Sequence, residues 1–340
     1  MTGTRLTIRQ ASMAAVTDLG RVRGPQAGLP VNGALDQYSA RAANILVGNA
    51  DNTPLIEVTA FGFEFDVDAD TVIAITGADT RITVDGLERP AWQPVPVSAG
   101  QTVRLSAMTA GVRCYIAVHG GLEVPRLYGS CAPDTVIGFG TFLAPGTTVA
   151  SPRAMRLAAN PFLASHVVRL RAKRPSVAGT AVVDVILGPD DADFEGTAHR
   201  LFDGRFQVTP HSNHIGLRMT GDLPERVRST EMISRGVPVG AVEVPPGDEL
   251  LILHRGRGVT AGYPVLGVAT SCALDTLGQV RPGQTVVFRQ VDLHDASNAA
   301  RARRAALDTL RTHVTTVFSC LAAGDRSAST SERSQSCVPQ

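Results

Sequence analysis

Three short segments concentrate the residues able to do chemistry. In Gly28-Leu-Pro-Val-Asn-Gly-Ala-Leu-Asp-Gln37, Pro30 and Gly33 bend the backbone, and Asn32 and Asp36 sit where a helix opens. Unbonded N–H groups at a helix start suit a carboxylate or a phosphate. Asp36 is equally what a simple cap requires. In His211 to Met219 (HSNHIGLRM), Ser212, Asn213 and His214 precede Gly216, and Arg218 follows among apolar residues. A buried arginine needs an acidic partner or an anionic ligand. In His254 to Pro264 (HRGRGVTAGYP), Arg255 and Arg257 lie among glycines with Thr260 and Tyr263. Such a loop can wrap an anion, or it can be a solvated hairpin tip.

Other chemistry is excluded or weak. HExxH, GxSxG, GxGxxG and GxxxxGK[ST] are absent. Of the 32 basic residues only Lys173 is lysine, which argues against a Schiff-base lysine or a P-loop lysine. His211 and His214 form a pair with no third ligand nearby, so no metal site is expected. Asp190, Asp191 and Asp193 read as helix N-terminal charge.

Composition narrows the class. The 340 residues are enough for about two domains, each with its own core. A formal charge of +1 gives no bulk attraction to nucleic acid or an anionic membrane. No apolar run of about 18 residues is present. Residues 1–10 lack the apolar stretch of a signal peptide. Five dispersed cysteines without CxxC read as reduced thiols, and the expected location is the cytoplasm.

Strand periodicity supplies the elements that must position those segments. Phe61, Phe63, Phe65 and Val67 alternate with polar residues, and TVIAIT (71–76), RCYIAV (113–118), AVVDVIL (181–187), 205–208, 250–254 and 285–289 extend the pattern. Frequent Gly and Pro breaks predict a mainly β protein of barrels or sandwiches. Helices are expected over 36–47 and 190–202. The echo of AGQTVRL (99–105) in PGQTVVF (282–288) suggests a duplicated unit, although such turns also recur by themselves. The expected division is 1–150, a linker over 151–179, and 180–294. A C-terminal helix follows over 295–323, its stripe being Leu307, Leu310, Val314, Val317 and Leu321. A serine-rich, disordered tail is expected over 324–340.

In this order the segments resemble the allophanate hydrolase subunit 2 family, over about residues 5–295. That family includes the C subunit of 5-oxoprolinase, kinase-inhibitor antagonists and the carboxyltransferase part of urea carboxylases. The supports are 28–57 (GLPVNGALDQYSARAANILVGNADNTPLIE), 71–79, 113–130, LGPDDADF (187–194), SNHIGLRMTG (212–221), 237–253, TAGYP (260–264) and 273–288. The resemblance implies two tandem cyclophilin-like β-barrel domains. It also implies a partner homologous to allophanate hydrolase subunit 1, or equivalently to the B subunit of 5-oxoprolinase. In 5-oxoprolinases it implies a third, LamB/YcsF-type component, the A subunit.

This chain departs from the family in several places. Asn32 and Leu35 stand where the family has Ser and Met, Gly129-Ser-Cys-Ala-Pro133 stands where it has GSRST, and His214 stands where it has Arg. The loop acid of the family is Gly256 here, which removes a natural base.

The activity implied is ATP-dependent opening of 5-oxoproline to glutamate, with ATP and Mg acting at the level of the complex. On matched positions, Arg257 and Arg218 would bind anions, joined by Asn32, Asp36 and Thr260. Asn213 and Tyr263 would orient the amide, and His214 would relay a proton. The alternatives are biotin-dependent carboxyl transfer to urea or a similar amide, which needs a biotin carrier, and a non-catalytic regulatory partner of a subunit 1 homologue.

Overall fold

The computed structural model describes residues 3–155, 170–227 and 232–334, with side chains through residue 319. Parts of the expected linker (156–169) and tail (335–340) lie outside the described residues, and residues 324–334, expected as disordered tail, instead continue the C-terminal helix.

The first half runs β1 (Thr4–Gln10), β2 (Ala14–Thr17), α1 (Gln37–Leu46), β3 (Leu55–Thr59), β4 (Phe63–Val67), β5 (Thr71–Asp79), β6 (Ile82–Val84), β7 (Leu87–Arg89), β8 (Pro94–Val97), β9 (Thr102–Leu105), β10 (Ala110–Val118), β11 (Thr141–Phe142) and β12 (Thr148–Ser151). Two six-stranded sheets result, in the orders β12-β1-β4-β9-β6-β7 and β11-β2-β3-β10-β5-β8. Alternation makes the core between them. Leu6, Ile8, Phe63 and Phe65 come from one sheet; Val16, Ile56, Val58, Ile73 and Ile116 come from the other. The first half is thus a pair of open sheets, whereas the resemblance implied a barrel in each half.

The second half runs β13 (Ala181–Leu187), α2 (Arg200–Asp203), β14 (Phe206–Val208), β15 (Gly216–Thr220), β16 (Arg235–Gly236), β17 (Ala241–Glu243), β18 (Leu250–Leu253), β19 (Thr260–Ala261), β20 (Val265–Ala269), α3 (Ala273–Leu277) and β21 (Thr285–Gln290). Seven of these strands close into a barrel, β13-β20-β17-β18-β15-β14-β21. Its interior is filled by Val183, Val185, Phe206, Met219, Val242, Ile252 and Phe288. Phe206 and Phe288 meet edge-on at 5.3 Å between ring centroids.

The expected helix over 190–202 is broken. A 3-10 turn covers Asp191–Phe194, and Gly196 takes a φ of +83°, so the chain leaves the helical region before α2 begins. α1 follows the sequence expectation closely. Asp36 is its N-cap, accepting from the Ser39 backbone N–H at 2.9 Å. The C-terminal helix α4 spans Leu293–Ser334 and lays Leu307, Leu310 and Val314 on α1 beside Ile45 and Leu46.

The halves meet along a polar seam. Gln279, just after α3, accepts at Oε1 from the Val112 and Arg113 backbone N–H groups at 3.1 Å each. Its Nε2 donates to Asp36 Oδ2 at 2.8 Å and to the Arg113 carbonyl at 3.0 Å. A buried polar network satisfied on both sides fixes register between the halves as apolar contact alone would not. Among the described residues no helix is long and apolar enough to cross a membrane.

Candidate active site

Backbone hydrogen bonds tie the three chemistry-bearing segments together at this seam. The Asn32 N–H donates to the Arg255 carbonyl at 2.8 Å. The Gly256 N–H donates to the His214 carbonyl at 3.0 Å, and the His254 N–H donates to the Ile215 carbonyl at 2.8 Å. The segment carrying Asn32 is held by a second crossing. Gly33 has a φ of +87°, and a Cβ there would fall 2.5 Å from the Gly20 nitrogen, so only glycine lets the two backbones pass.

A cleft of about 510 Å³ opens between the halves, with Asn32, Glu57, Arg113, Asn213 and His214 in its walls. Asn32 takes a left-handed φ of +51°. Its Nδ2 donates to Asp134 Oδ2 at 3.0 Å, leaving Oδ1 as an acceptor. Asn213 uses Oδ1 to accept from the Ile215 N–H at 2.8 Å and the Gly216 N–H at 3.3 Å, leaving its amide N–H2 as a donor.

The titratable groups of the cleft are pushed in opposite directions. Burial raises the Glu57 carboxyl above the ordinary range; the Arg113 charge and hydrogen bonding to Tyr115 and the Leu35 backbone pull the other way. Glu57 Oε2 is buried with no hydrogen-bond partner, and Oε1 stands 3.6 Å from Arg113 Nε. Desolvation, with the Arg113 charge behind it, lowers His214 below its ordinary value, and Asp134 opposes this. The imidazole is therefore neutral and able to accept a proton near pH 7. A carboxyl raised by its surroundings and an imidazole lowered by them thus share one cleft, the arrangement in which environment separates an acid from a base.

Sequence reasoning singled out Asn32, Asn213 and His214, and the structure brings them together. It did not single out Glu57, Arg113 or Tyr115. Their signal lay in the strand pattern. Glu57 interrupts the apolar run of β3 and Arg113 that of β10, and Glu57 sits opposite Tyr115 in the register of these paired strands.

The other expected residues lie elsewhere. Asp36 faces a second hollow, of about 540 Å³, on the other side of Gln279. Arg218 is half-exposed and paired with Glu249 at 2.9 Å. Arg257 is buried, with Nε and Nη1 lacking any partner among the described residues, and it is not in the wall of the cleft. Thr260 and Tyr263 line a third hollow, outside the second barrel. Gly256 and His214, two of the family departures, prove to be neighbours. A Cβ on Gly256 would collide with His214 Cδ2, so the two positions cannot vary independently.

The cleft does not fit a nucleoside triphosphate. Its one arginine, Arg113, is turned onto Glu57 and donates to the Gly278 carbonyl at 2.6 Å, and no lysine lines it. Among the described residues no cluster of His, Cys, Asp or Glu could hold a metal ion. Acid–base and hydrogen-bond chemistry on a small molecule is what the arrangement supports.

The second hollow carries a measurable consequence. Burial and the neighbouring Asp36 charge raise Asp275 to about 7, against Arg303 and Arg255. The folded state therefore holds a proton that the unfolded chain releases near pH 4, and stability falls as pH rises from about 4 through 7. His254, lowered well below its ordinary value by burial, gives the opposite slope below about pH 6.5. Asp275→Asn isolates the first effect. Its stability relative to wild type should increase between pH 5 and 8 in thermal melts, and a constant difference would refute the assignment.

The model of the family "Carboxyltransferase domain, subdomain A and B" matches residues 27–290. The chain is 28% identical to the C subunit of 5-oxoprolinase from Haemophilus influenzae, covering 88% of this chain and 95% of that protein. It is 29% identical to the corresponding C subunit from Escherichia coli, over 86% and 93% respectively. Urea amidolyase of Saccharomyces cerevisiae is 29% identical over 86% of this chain, which spans 17% of that protein. Among solved structures, TTHA0988 superposes with a TM-score of 0.73 at 32% identity; 84% of this chain is covered, and 56% of that one.

Proposed function

The chain belongs to the carboxyltransferase domain family of subdomains A and B, and from that premise we propose that it is a subunit of an ATP-dependent hydrolase opening a small cyclic amide of the 5-oxoproline type. One observation carries the reading. A carboxyl raised by burial, a neutral imidazole and an amide donor share one cleft, in a chain that spans 95% and 93% of two proteins named as the C subunit of 5-oxoprolinase.

An unstrained lactam is a poor electrophile, and its ring opening needs three things. The carbonyl oxygen must be polarised, water must be deprotonated, and the departing nitrogen must receive a proton. The Asn213 amide N–H2 is the donor for the carbonyl oxygen, and Asn32 Oδ1 accepts the ring N–H. Neutral His214 is the base for water. Glu57, its carboxyl raised by burial, is the acid for the nitrogen, with Arg113 steadying the carboxylate it leaves behind. Arg257 is assigned to anion binding, since a buried guanidinium with two unpaired donor nitrogens wants an anion. ATP with Mg belongs to the assembled complex, because this cleft does not accommodate it. The partners are a homologue of allophanate hydrolase subunit 1 and a LamB/YcsF-type protein. Arg218, Thr260 and Tyr263 have no direct role in the cleft.

A second reading, biotin-dependent carboxyl transfer to urea or a similar amide, draws on the likeness to urea amidolyase. One experiment separates the two. The chain is co-purified with both partner homologues, and ADP release is followed with 5-oxoproline, and separately with urea plus a biotinylated carrier. ADP release that depends on 5-oxoproline and on this chain supports the proposal. Release with urea and the carrier alone would replace it with carboxyl transfer. Silence from a stable complex would leave a non-catalytic partner.

A further inference from the structure

Arg113, on β10, is the only arginine or lysine in the wall of the interdomain cleft. The second half of the chain holds it in place. Gln279 Oε1 accepts from the Val112 and Arg113 backbone N–H groups, and Gln279 Nε2 donates to the Arg113 carbonyl. The guanidinium is tied down as well, because Nη1 donates to the Gly278 carbonyl at 2.6 Å. A Cβ on Gly278 would fall 2.7 Å from the Leu35 backbone carbon, so the Gly278 backbone is itself set by a close approach that only glycine allows. A guanidinium fixed in this way loses little side-chain freedom when a ligand arrives.

Its three nitrogens are in different states. Nε is sealed without a hydrogen-bond partner, Nη1 is spent on Gly278, and Nη2 is neither sealed nor partnered among the described residues. The neighbouring acids do not satisfy Nη2. Glu57 Oε1 stands 3.6 Å from Nε, an ion pair without a hydrogen bond and on the other edge of the fork. Asp134 is taken up by Asn32, Arg21 and two backbone N–H groups. The Arg113 charge helps to lower His214, which places the guanidinium near the imidazole.

A held cation with one open N–H2 edge, in a cleft of about 510 Å³, calls for a small anionic group. One edge serves a carboxylate and is too little for a triphosphate. In a lactam of the 5-oxoproline type the carboxylate is carried by the ring carbon bonded to the amide nitrogen. Its binding group must therefore share the cleft with Asn32 and Asn213, which meet the amide, and Arg113 is the arginine that does. Arg257 is not in this wall and is not the partner of that carboxylate.

We propose that Arg113 is the specificity-determining residue of the cleft: its Nη2 donates to the carboxylate of the substrate, and the cleft thereby selects small amides that carry an anionic group beside the reacting amide. The inference rests on the reading of the cleft as a small-amide site and adds the substrate class to it. A neutral amide leaves Nη2 without an acceptor and is disfavoured for that reason.

The test uses the full chain at pH 7.5. 5-Oxoproline and its neutral isostere 5-oxoprolinamide are titrated by calorimetry. 5-Oxoproline is expected to bind at least about tenfold tighter, the scale of one charge-assisted hydrogen bond. Arg113→Gln should erase that preference, and Arg113→Lys, which keeps the charge, should retain part of it. The ratio of the two affinities is the readout because a general loosening of the cleft weakens both ligands alike, whereas loss of a carboxylate contact weakens one. Equal affinities in the wild type, or an undiminished preference in Arg113→Gln, would overturn the role of Arg113 and leave the small-amide reading standing. Binding of neither ligand would overturn both.

Discussion

Glu57→Gln is expected to lower 5-oxoproline-dependent turnover of the reconstituted complex by about 10²–10⁴-fold, the usual contribution of a positioned acid. The substitution keeps the shape of the side chain and one acceptor oxygen, and it removes a carboxyl that the fold holds above its ordinary pKa. Stability should therefore be unchanged or slightly higher, and co-purification with the partners should persist. The sharper readout is the pH profile. The limb on which activity declines as the acid ionises should vanish in the variant, while the limb governed by His214 stays. A variant of near wild-type turnover would remove Glu57 from the chemistry.

Asp134→Ala should have the largest effect on stability. Asp134 is 2% exposed and serves four donors: Asn32 Nδ2 at 3.0 Å, Arg21 Nη1 at 3.4 Å, and the Val136 and Ile137 backbone N–H groups at 3.1 and 3.4 Å. Arg21 is fully buried, donates to the Ala132 carbonyl and stands 5.7 Å from the Phe139 ring centroid. Removing the carboxylate strands this guanidinium, which by analogy with other broken buried pairs costs about 3–5 kcal/mol. It also frees Asn32 from the contact that accompanies its left-handed backbone. Urea unfolding should report the loss, and the double variant Arg21→Met/Asp134→Leu should recover most of it, because the orphaned charge is then gone. A loss below about 1 kcal/mol for Asp134→Ala would mean that water reaches Arg21.

The elements were legible where period and capping agree. β4, β5, β10 and β13 follow their apolar patterns, and Asp36 caps α1 where the sequence places it. The broken helix over 190–202 was missed because apolar spacing does not reveal that Gly196 takes a positive φ. Closure was only half legible. Alternation predicts sheets with one buried face, but whether they close depends on pairing across the chain, such as the parallel β13–β21 edge that seals the second barrel. The same limit governed the site. Asn32, Asn213 and His214 stand in glycine-marked loops that draw attention, whereas Glu57 and Arg113 occupy ordinary strands and become partners only through β3–β10 pairing. Arg257, Thr260 and Tyr263 share a loop with Gly256, yet the loop turns them away from the cleft wall that Gly256 joins. Sequence proximity to a site residue does not specify which side of a barrel a side chain faces.

The central claim is that the reaction takes place in the cleft between the two halves. Hydrogen exchange of the assembled complex, with and without 5-oxoproline, tests it most directly. Protection should appear in residues 32–35 and 212–216, the backbone that holds Asn32, Asn213 and His214, and Asn213→Ala should abolish it. Protection confined to 260–264, or none in this chain while the complex turns over, would contradict it.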